Sequence, residues 1–236
     1  MTRSSTSIES RILFEDNHLI IMNKLPRELV QGDDTGDETL ADMVKAYIKT
    51  AYNKPGNVFL GIPHRLDRPV SGVVIYAKTS KGLARMSDLF RLKKIDKTYW
   101  AIVENKPTKT KATLENSLLK NHKQNKSYVV SDDRKGSKRA ILHYELIYSS
   151  ERYHLLQIQL ETGRHHQIRT QLAHMGCIIK GDLKYGAKRS NGDGSISLHS
   201  RTTAFIHPIS DEPISITAQC PNDELWQFFE SKMNEG

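Results

Sequence analysis

The segment HRLDRPVSG, His64 to Gly72, sets an aspartate between two arginines, with a histidine in front and a Pro-Val-Ser-Gly run behind. A nearby positive charge favours the ionised form of a carboxylate, so Asp67 between Arg65 and Arg68 is better suited to act as a nucleophile or base than as a proton donor. A second reading stands beside it on this fragment alone: an arginine pair that fixes a turn. Another segment, ETGRHHQIRTQLAHMG, carries Arg169. The spacing of Ile168, Leu172 and Met175 predicts a helix over 164–175, bounded by Gly163 and Gly176, with His165 and Arg169 together on one face. Arg169 would then aim at a cleft. The backbone N–H groups of Thr162, Gly163 and Arg164, at the positive end of that helix, would offer a seat for a phosphate. In KIDKTYWAIVE, Tyr99 occupies a strand between a basic loop and an apolar run. A tyrosine so placed packs into a core more often than it serves a site, and it gains a role only beside a base on which to stack.

Other chemistries are disfavoured. His165, His166, His174 and Cys177 invite a metal reading, but on one helix His165 and His174 fall on different faces, and no His-Glu-x-x-His element is present. No metal site is expected. The chain holds no Gly-x-Gly-x-x-Gly or Walker-type phosphate loop and no Gly-x-Ser-x-Gly elbow. Cys177 and Cys220 are too few and too far apart for a disulfide framework, which points to a reducing compartment. The polar start MTRSSTSIES lacks the apolar stretch of a signal peptide, and no run approaches the ~20 apolar residues that span a bilayer. A soluble cytoplasmic protein is expected, with a monomer as the default.

Lys plus Arg outnumber Asp plus Glu 35 to 27 in 236 residues, giving a formal charge of +8 and a pI near 9.4. That balance suits a polyanionic partner. The cations gather in RLKKIDK (91–97), KNHKQNK (120–126), RKGSKR (134–139) and KYGAKR (184–189). Each alone reads as a solvated loop; sharing a face, they would contact an RNA backbone through charge.

These residues need elements to position them. After a flexible polar tail over 1–10, the fold is expected to occupy 11–236 as one domain. RILFEDNHLIIMNK reads as two strands around an Asp16-Asn17 turn. Leu40, Val44, Tyr47, Ile48 and Ala51 recur at helical spacing behind Asp37, the expected N-cap. A strand over 72–78 and a helix from about Ser80 follow, then a strand over 97–104 that carries Tyr99. Repeated strand patterns between 112 and 161, a strand pair in SISLHSRTTAFIHP and a closing helix in DELWQFFESKM complete the chain. Strands outnumber helices without alternating with them, so the class is α+β.

Together these segments resemble the RluA family of RNA pseudouridine synthases. HRLDRPVSGVVIYAK is similar to that family's catalytic-aspartate segment, KTYWAIVE to its tyrosine strand, ETGRHHQIRTQLAHMGCIIKGDLKYG to its arginine segment, and LHSRTTAFIHP to its last active-site strand; ILFEDNHLIIMNK resembles its opening hairpin. The resemblance implies a pseudouridine synthase fold, with a long mixed, mainly antiparallel sheet, flanking helices and a central cleft. It implies an isomerase that needs no cofactor and acts on ribosomal or transfer RNA. Asp67 would be the catalytic carboxylate, Tyr99 would stack on the target base, Arg169 would pair with Asp67, Leu198 would line the pocket and Arg65 would contact RNA. Val70 and His165 stand where the family often has threonine, Gln171 where it often has histidine, and Leu25 interrupts a common Lys-Pro pair. The S4 domain of some relatives would need extra N-terminal sequence, so target recognition is expected to fall to the catalytic domain and its loops.

Two other readings remain at this point. A non-catalytic RNA-binding or ribosome-assembly protein with this fold explains the charge but gives no reason for Asp67, Tyr99 and Arg169 to occur in matching segments. A base-removing hydrolase would also place a carboxylate beside the sugar, and it would release free uracil.

Overall fold

Strands Ile12–Glu15 (β1) and Leu19–Lys24 (β2) form the opening hairpin as expected. Asp16 makes the turn: its Oδ1 accepts the backbone N–H groups of His18 at 2.7 Å and Leu19 at 2.6 Å, the local bonding by which Asp closes turns. Helix Leu40–Ala51 (α1) follows, then strand Ser71–Ala77 (β3) and helix Ser80–Arg91 (α2). The cap of α1 is Thr39, two residues later than expected. Its Oγ1 accepts the Asp42 N–H at 3.1 Å while Asp42 Oδ2 accepts the Thr39 N–H at 3.2 Å, a reciprocal capping box that Asp37 cannot make from its position. The computed structural model describes residues 7–33 and 36–235, so the first six residues of the expected tail lie outside the described residues.

Asp96–Val103 (β4), Lys111–Asn121 (β5), Lys126–Val130 (β6), Lys138–Ser149 (β7) and His154–Leu160 (β8) come next, then helix Gln167–His174 (α3), strands Leu198–Ile206 (β9) and Pro213–Thr217 (β10), and helix Glu224–Asn234 (α4). SISLHSRTTAFIHP therefore supplies one strand, β9, rather than a pair; its partner β10 lies beyond the Pro208–Glu212 turn. The described residues pack as two compact units, one drawn from 7–33, 36–95 and 202–219, the other from 96–201 and 220–235.

In the first unit, β2 pairs antiparallel with both β1 and β3, and both of its faces are covered. Leu19 and Ile21 pack with Val73, Ile75 and Met86 of α2 on one side. Ile20 and Met22 pack with Val74, Tyr76 and the Leu40, Val44 and Ile48 stripe of α1 on the other. A strand buried on both faces has no polar alternation, which is why LIIM and VVIYA read as continuous apolar runs. In the second unit, the order β4-β8-β7-β5-β6 forms an antiparallel series. Trp100 and Ile102 of β4 pack with Leu155, Cys220 and the Trp226 and Phe229 side chains of α4. Burying such aromatic surface contributes roughly 1.5–3 kcal/mol per fully buried side chain.

Candidate active site

In the first unit Asp67 begins a tight turn: the Val70 N–H donates to the Asp67 carbonyl at 3.0 Å, with Arg68 and Pro69 between. Asp67 is half-buried and Arg65 is exposed. Gly72, just beyond, has φ 109°, a backbone state that side chains strain against, so glycine is what lets the chain leave the turn and enter β3. His64 fixes the other end. Its Nε2 accepts the Ile75 N–H at 2.9 Å, and its ring stacks on Phe90 with centroids 4.5 Å apart.

Arg68 turns away from the role the sequence suggested. Its guanidinium pairs with Asp37 at 2.5 Å and its Nε donates to the Arg27 carbonyl at 3.1 Å, while the Arg27 N–H returns a bond to the Arg68 carbonyl at 2.7 Å. The cation that anchors the Asp67 turn is Lys24, which sequence reasoning passed over. Fully buried at the end of β2, its Nζ donates to the carbonyls of Leu25 at 3.0 Å, Arg68 at 3.1 Å and Val70 at 2.5 Å. Two of those carbonyls, of Arg68 and Val70, belong to the Asp67 turn. Burial pushes the Lys24 ammonium down to about 7, while the Glu28 and Asp67 carboxylates pull it up and the Arg11 and Arg68 charges push it down. The only sequence signal was a lysine closing an otherwise apolar strand.

In the second unit Tyr99 lies on β4, buried and opposite Ile158 of β8. Arg201 stacks on Trp100 at 4.5 Å and His199 faces Trp226 at 5.7 Å, so Trp100, His199 and Arg201 occupy the α4 side. Strand alternation therefore sets Tyr99 and Leu198 on the opposite face. Lys97 shares that face by the same alternation, and burial lowers its ammonium below the usual lysine range.

Arg169 projects from α3 into a buried ion pair: Nε donates to Asp182 Oδ2 at 2.7 Å and Nη2 to Asp182 Oδ1 at 2.8 Å, with relative exposures of 5% and 1%. Two parallel bonds fix the plane of the guanidinium as well as its place. The Tyr185 ring lies 5.1 Å from it, and the Tyr185 hydroxyl gathers the Ser127 N–H at 2.9 Å, His166 Nδ1 at 2.9 Å and Thr170 Oγ1 at 3.1 Å. Neither Asp182 nor Tyr185 was singled out in the sequence, although both lie in the GDLKYG run. Gly181 lets that loop form: its φ is 85° and an added Cβ would meet the Asn191 side chain at 2.7 Å.

The start of α3 corrects an expectation. The helix begins at Gln167, because His166 adopts a left-handed backbone with φ 53°. The Arg164 N–H donates to Gln167 Oε1 at 2.9 Å and the Thr162 N–H reaches the Ile141 carbonyl, so these amides are not a free phosphate seat. His165 therefore does not share a helical face with Arg169. Its ring stacks on His166 at 3.8 Å and contacts Ser127 Oγ at 2.9 Å and Asn125 Oδ1 at 3.0 Å. Burial, then the charges of Arg169, His165, Lys184 and Lys120, push His166 down to about 2, leaving it neutral at physiological pH.

Comparison with known proteins places this geometry. A sequence model described as RNA pseudouridylate synthase matches residues 18–174. The chain is 32% identical over 230 residues to ribosomal large subunit pseudouridine synthase D of Zymomonas mobilis, covering 92% of this chain and 71% of that one. It is 34% identical over 221 residues to ribosomal large subunit pseudouridine synthase C of Buchnera aphidicola, covering 91% and 68%. Human RNA pseudouridylate synthase domain containing 4 has the same fold, with a TM-score of 0.80 at 21% identity over 97% of this chain and 95% of that one. The α+β chain, with Asp67, Tyr99, Arg169 and Leu198 in the segments described, belongs to the RNA pseudouridylate synthase family and is an isomerase that converts uridine to pseudouridine in RNA.

Proposed function

We propose that the substrate is a uridine in ribosomal or transfer RNA and that Asp67 is the catalytic carboxylate. The reaction breaks the bond from C1′ to N1, turns the uracil within the site and joins C1′ to C5. The C5 proton is lost and N1 gains one, so no other atoms enter or leave. Such chemistry needs a charged group beside sugar and base, a nucleotide drawn from its stack, and exclusion of water from the intermediate. The observation that carries the reading is the anchoring of the Asp67 turn by Lys24. A fully buried ammonium holds the backbone of the turn that directly follows one half-buried carboxylate, which suits a group whose direction matters. In this reading Tyr99 is the surface on which the extruded base stacks, Leu198 lines its pocket, Arg169 is the cation proposed to pair with Asp67, and Arg65 contacts RNA where the nucleotide has left. Stacking of a base on an aromatic ring is worth roughly 1–3 kcal/mol. The names of two relatives support ribosomal RNA as the first target to test.

Asp67→Asn tests the assignment. It is expected to abolish tritium release from RNA labelled at uracil C5 while leaving RNA binding in place, and unchanged release would refute it. Pseudouridine mapping in total RNA from cells with and without this gene then identifies the modified position; free uracil among the products would instead indicate base removal.

A further inference from the structure

Two of the four basic clusters meet in the second unit. Lys184 Nζ donates to the carbonyls of Gln124 at 3.3 Å and Asn125 at 3.2 Å, joining the 184–189 loop to the turn between β5 and β6. Lys126 from that hairpin sits 4.9 Å from the Tyr185 ring and 5.3 Å from the Tyr128 ring. Lys120 stands opposite Ser127 on the paired strand. Both Lys120 and Lys184 lie close enough to His166 to disfavour its protonation, which shows how concentrated the positive charge is there.

The cations in the body of this sheet differ. Arg139 is paired with Glu115, and Lys111 with Glu145 at 2.9 Å. Among the described residues, Lys120, Lys123, Lys126 and Lys184 have no carboxylate within ion-pair distance. Uncompensated ammonium groups clustered at a hairpin tip raise the local potential and attract a polyanion. Two apolar groups interrupt the patch: Tyr128 is 39% exposed and Leu183 is 56% exposed. Lysines interleaved with an exposed aromatic match a nucleic-acid strand, whose phosphates meet the charges and whose bases meet the ring.

We propose that the β5–β6 turn and the 184–189 loop form an RNA-binding surface, on which Lys120, Lys123 and Lys184 meet phosphates and Tyr128 stacks on a base of the strand that carries the target. This rests on the reading of the protein as an RNA-modifying enzyme, but its test is separable from that reading. The probe is fluorescein-labelled oligouridylate, titrated with the full chain at several salt concentrations. Lys120→Gln/Lys123→Gln/Lys184→Gln is expected to weaken binding roughly 10- to 100-fold and to lower the slope of log affinity against log salt by about 2, since each phosphate of a single strand that is no longer neutralised takes ~0.7 from the slope. Tyr128→Ala is expected to weaken binding at least about fivefold with the salt slope unchanged.

The charge-preserving Lys120→Arg/Lys123→Arg/Lys184→Arg should bind as the unaltered protein does, which separates removal of charge from a fold that failed. Lys45→Gln/Lys49→Gln/Lys54→Gln, on and just beyond α1, is the control and should leave both affinity and slope in place. Equal binding and an equal slope for the glutamine variant of the patch would overturn the proposal. So would equal competition by polyaspartate, which would mark the surface as one for acidic peptides. If the unaltered protein makes no pseudouridine yet the glutamine variant still loses affinity and slope, the surface stands and the catalytic reading fails.

Discussion

Replacing Lys24 by methionine separates the two opposing effects of a buried ammonium. In the unfolded chain Lys24 titrates near 10.5; in the folded protein burial brings it down to about 7. Folding with the charge in place is therefore about 5 kcal/mol costlier than folding with a neutral amine. Between about pH 7 and about pH 10.5 the unfolded state binds the extra proton, so the stability of the native protein rises with pH across that window, by about 1.4 kcal/mol per pH unit. Below the folded value both states are protonated and the full penalty is present; above the unfolded value it is gone.

Lys24→Met removes this titration and also leaves the carbonyls of Leu25 and Val70 without their donor, whereas the Arg68 carbonyl keeps the Arg27 N–H. Two stranded carbonyls cost about 1–3 kcal/mol each, which offsets the relief of the buried charge. The difference at a single pH therefore mixes two terms, but its slope does not. Urea unfolding of both proteins at about pH 7.5 and about pH 9.5 should show the native protein gaining roughly 2–3 kcal/mol on the variant between the two conditions. A difference that stays flat with pH would show that folded Lys24 keeps its proton across this range and would refute the lowering of its titration by burial.

Arg169→Ala should lower unfolding stability by about 3–5 kcal/mol in urea titrations, because it strands the Asp182 carboxylate at 1% exposure. The double variant Arg169→Leu/Asp182→Leu should recover most of that loss while uridine isomerisation stays low, and a loss below about 1 kcal/mol for the single variant would show the pair to be solvated. Gly181→Ala should cost more than about 1 kcal/mol in thermal unfolding, since it meets both a φ of 85° and the Asn191 side chain; adding Asn191→Ala should recover the steric part and leave the backbone part.

What the sequence made legible follows from periodicity. The opening hairpin, α2, β4 and α4 lie where apolar spacing puts them, because their buried faces are set by residues near in sequence. The misses share another cause. Thr39 takes the cap from Asp37 because capping depends on a reciprocal bond with Asp42. The late start of α3 follows from the left-handed backbone at His166, held by a hydrogen bond to Tyr185 nineteen residues away. SISLHSRTTAFIHP has the alternation of strands, but pairing beyond Pro208 decides that it holds one. Asp67, Tyr99, Arg169 and Leu198 were found as segments; their supports Lys24, Asp182 and Tyr185 were not, since each acts through a partner distant in sequence.

Those supports explain why the Asp67 turn and Arg169 are held by charged partners rather than by apolar packing. An apolar side chain in place of Lys24 would fill the space but give the carbonyls of Leu25 and Val70 no donor, so the turn would be free to relax toward water. Arginine would keep the charge, but its planar fork cannot direct three bonds from one nitrogen as an ammonium does. For Arg169 the preference reverses: the Asp182 carboxylate presents two oxygens, and only a fork meets both and so fixes a plane. A point donor therefore suits the backbone of the Asp67 turn and a planar donor suits α3. Exchanging Lys and Arg at the two positions would preserve the net charge and remove both orientations.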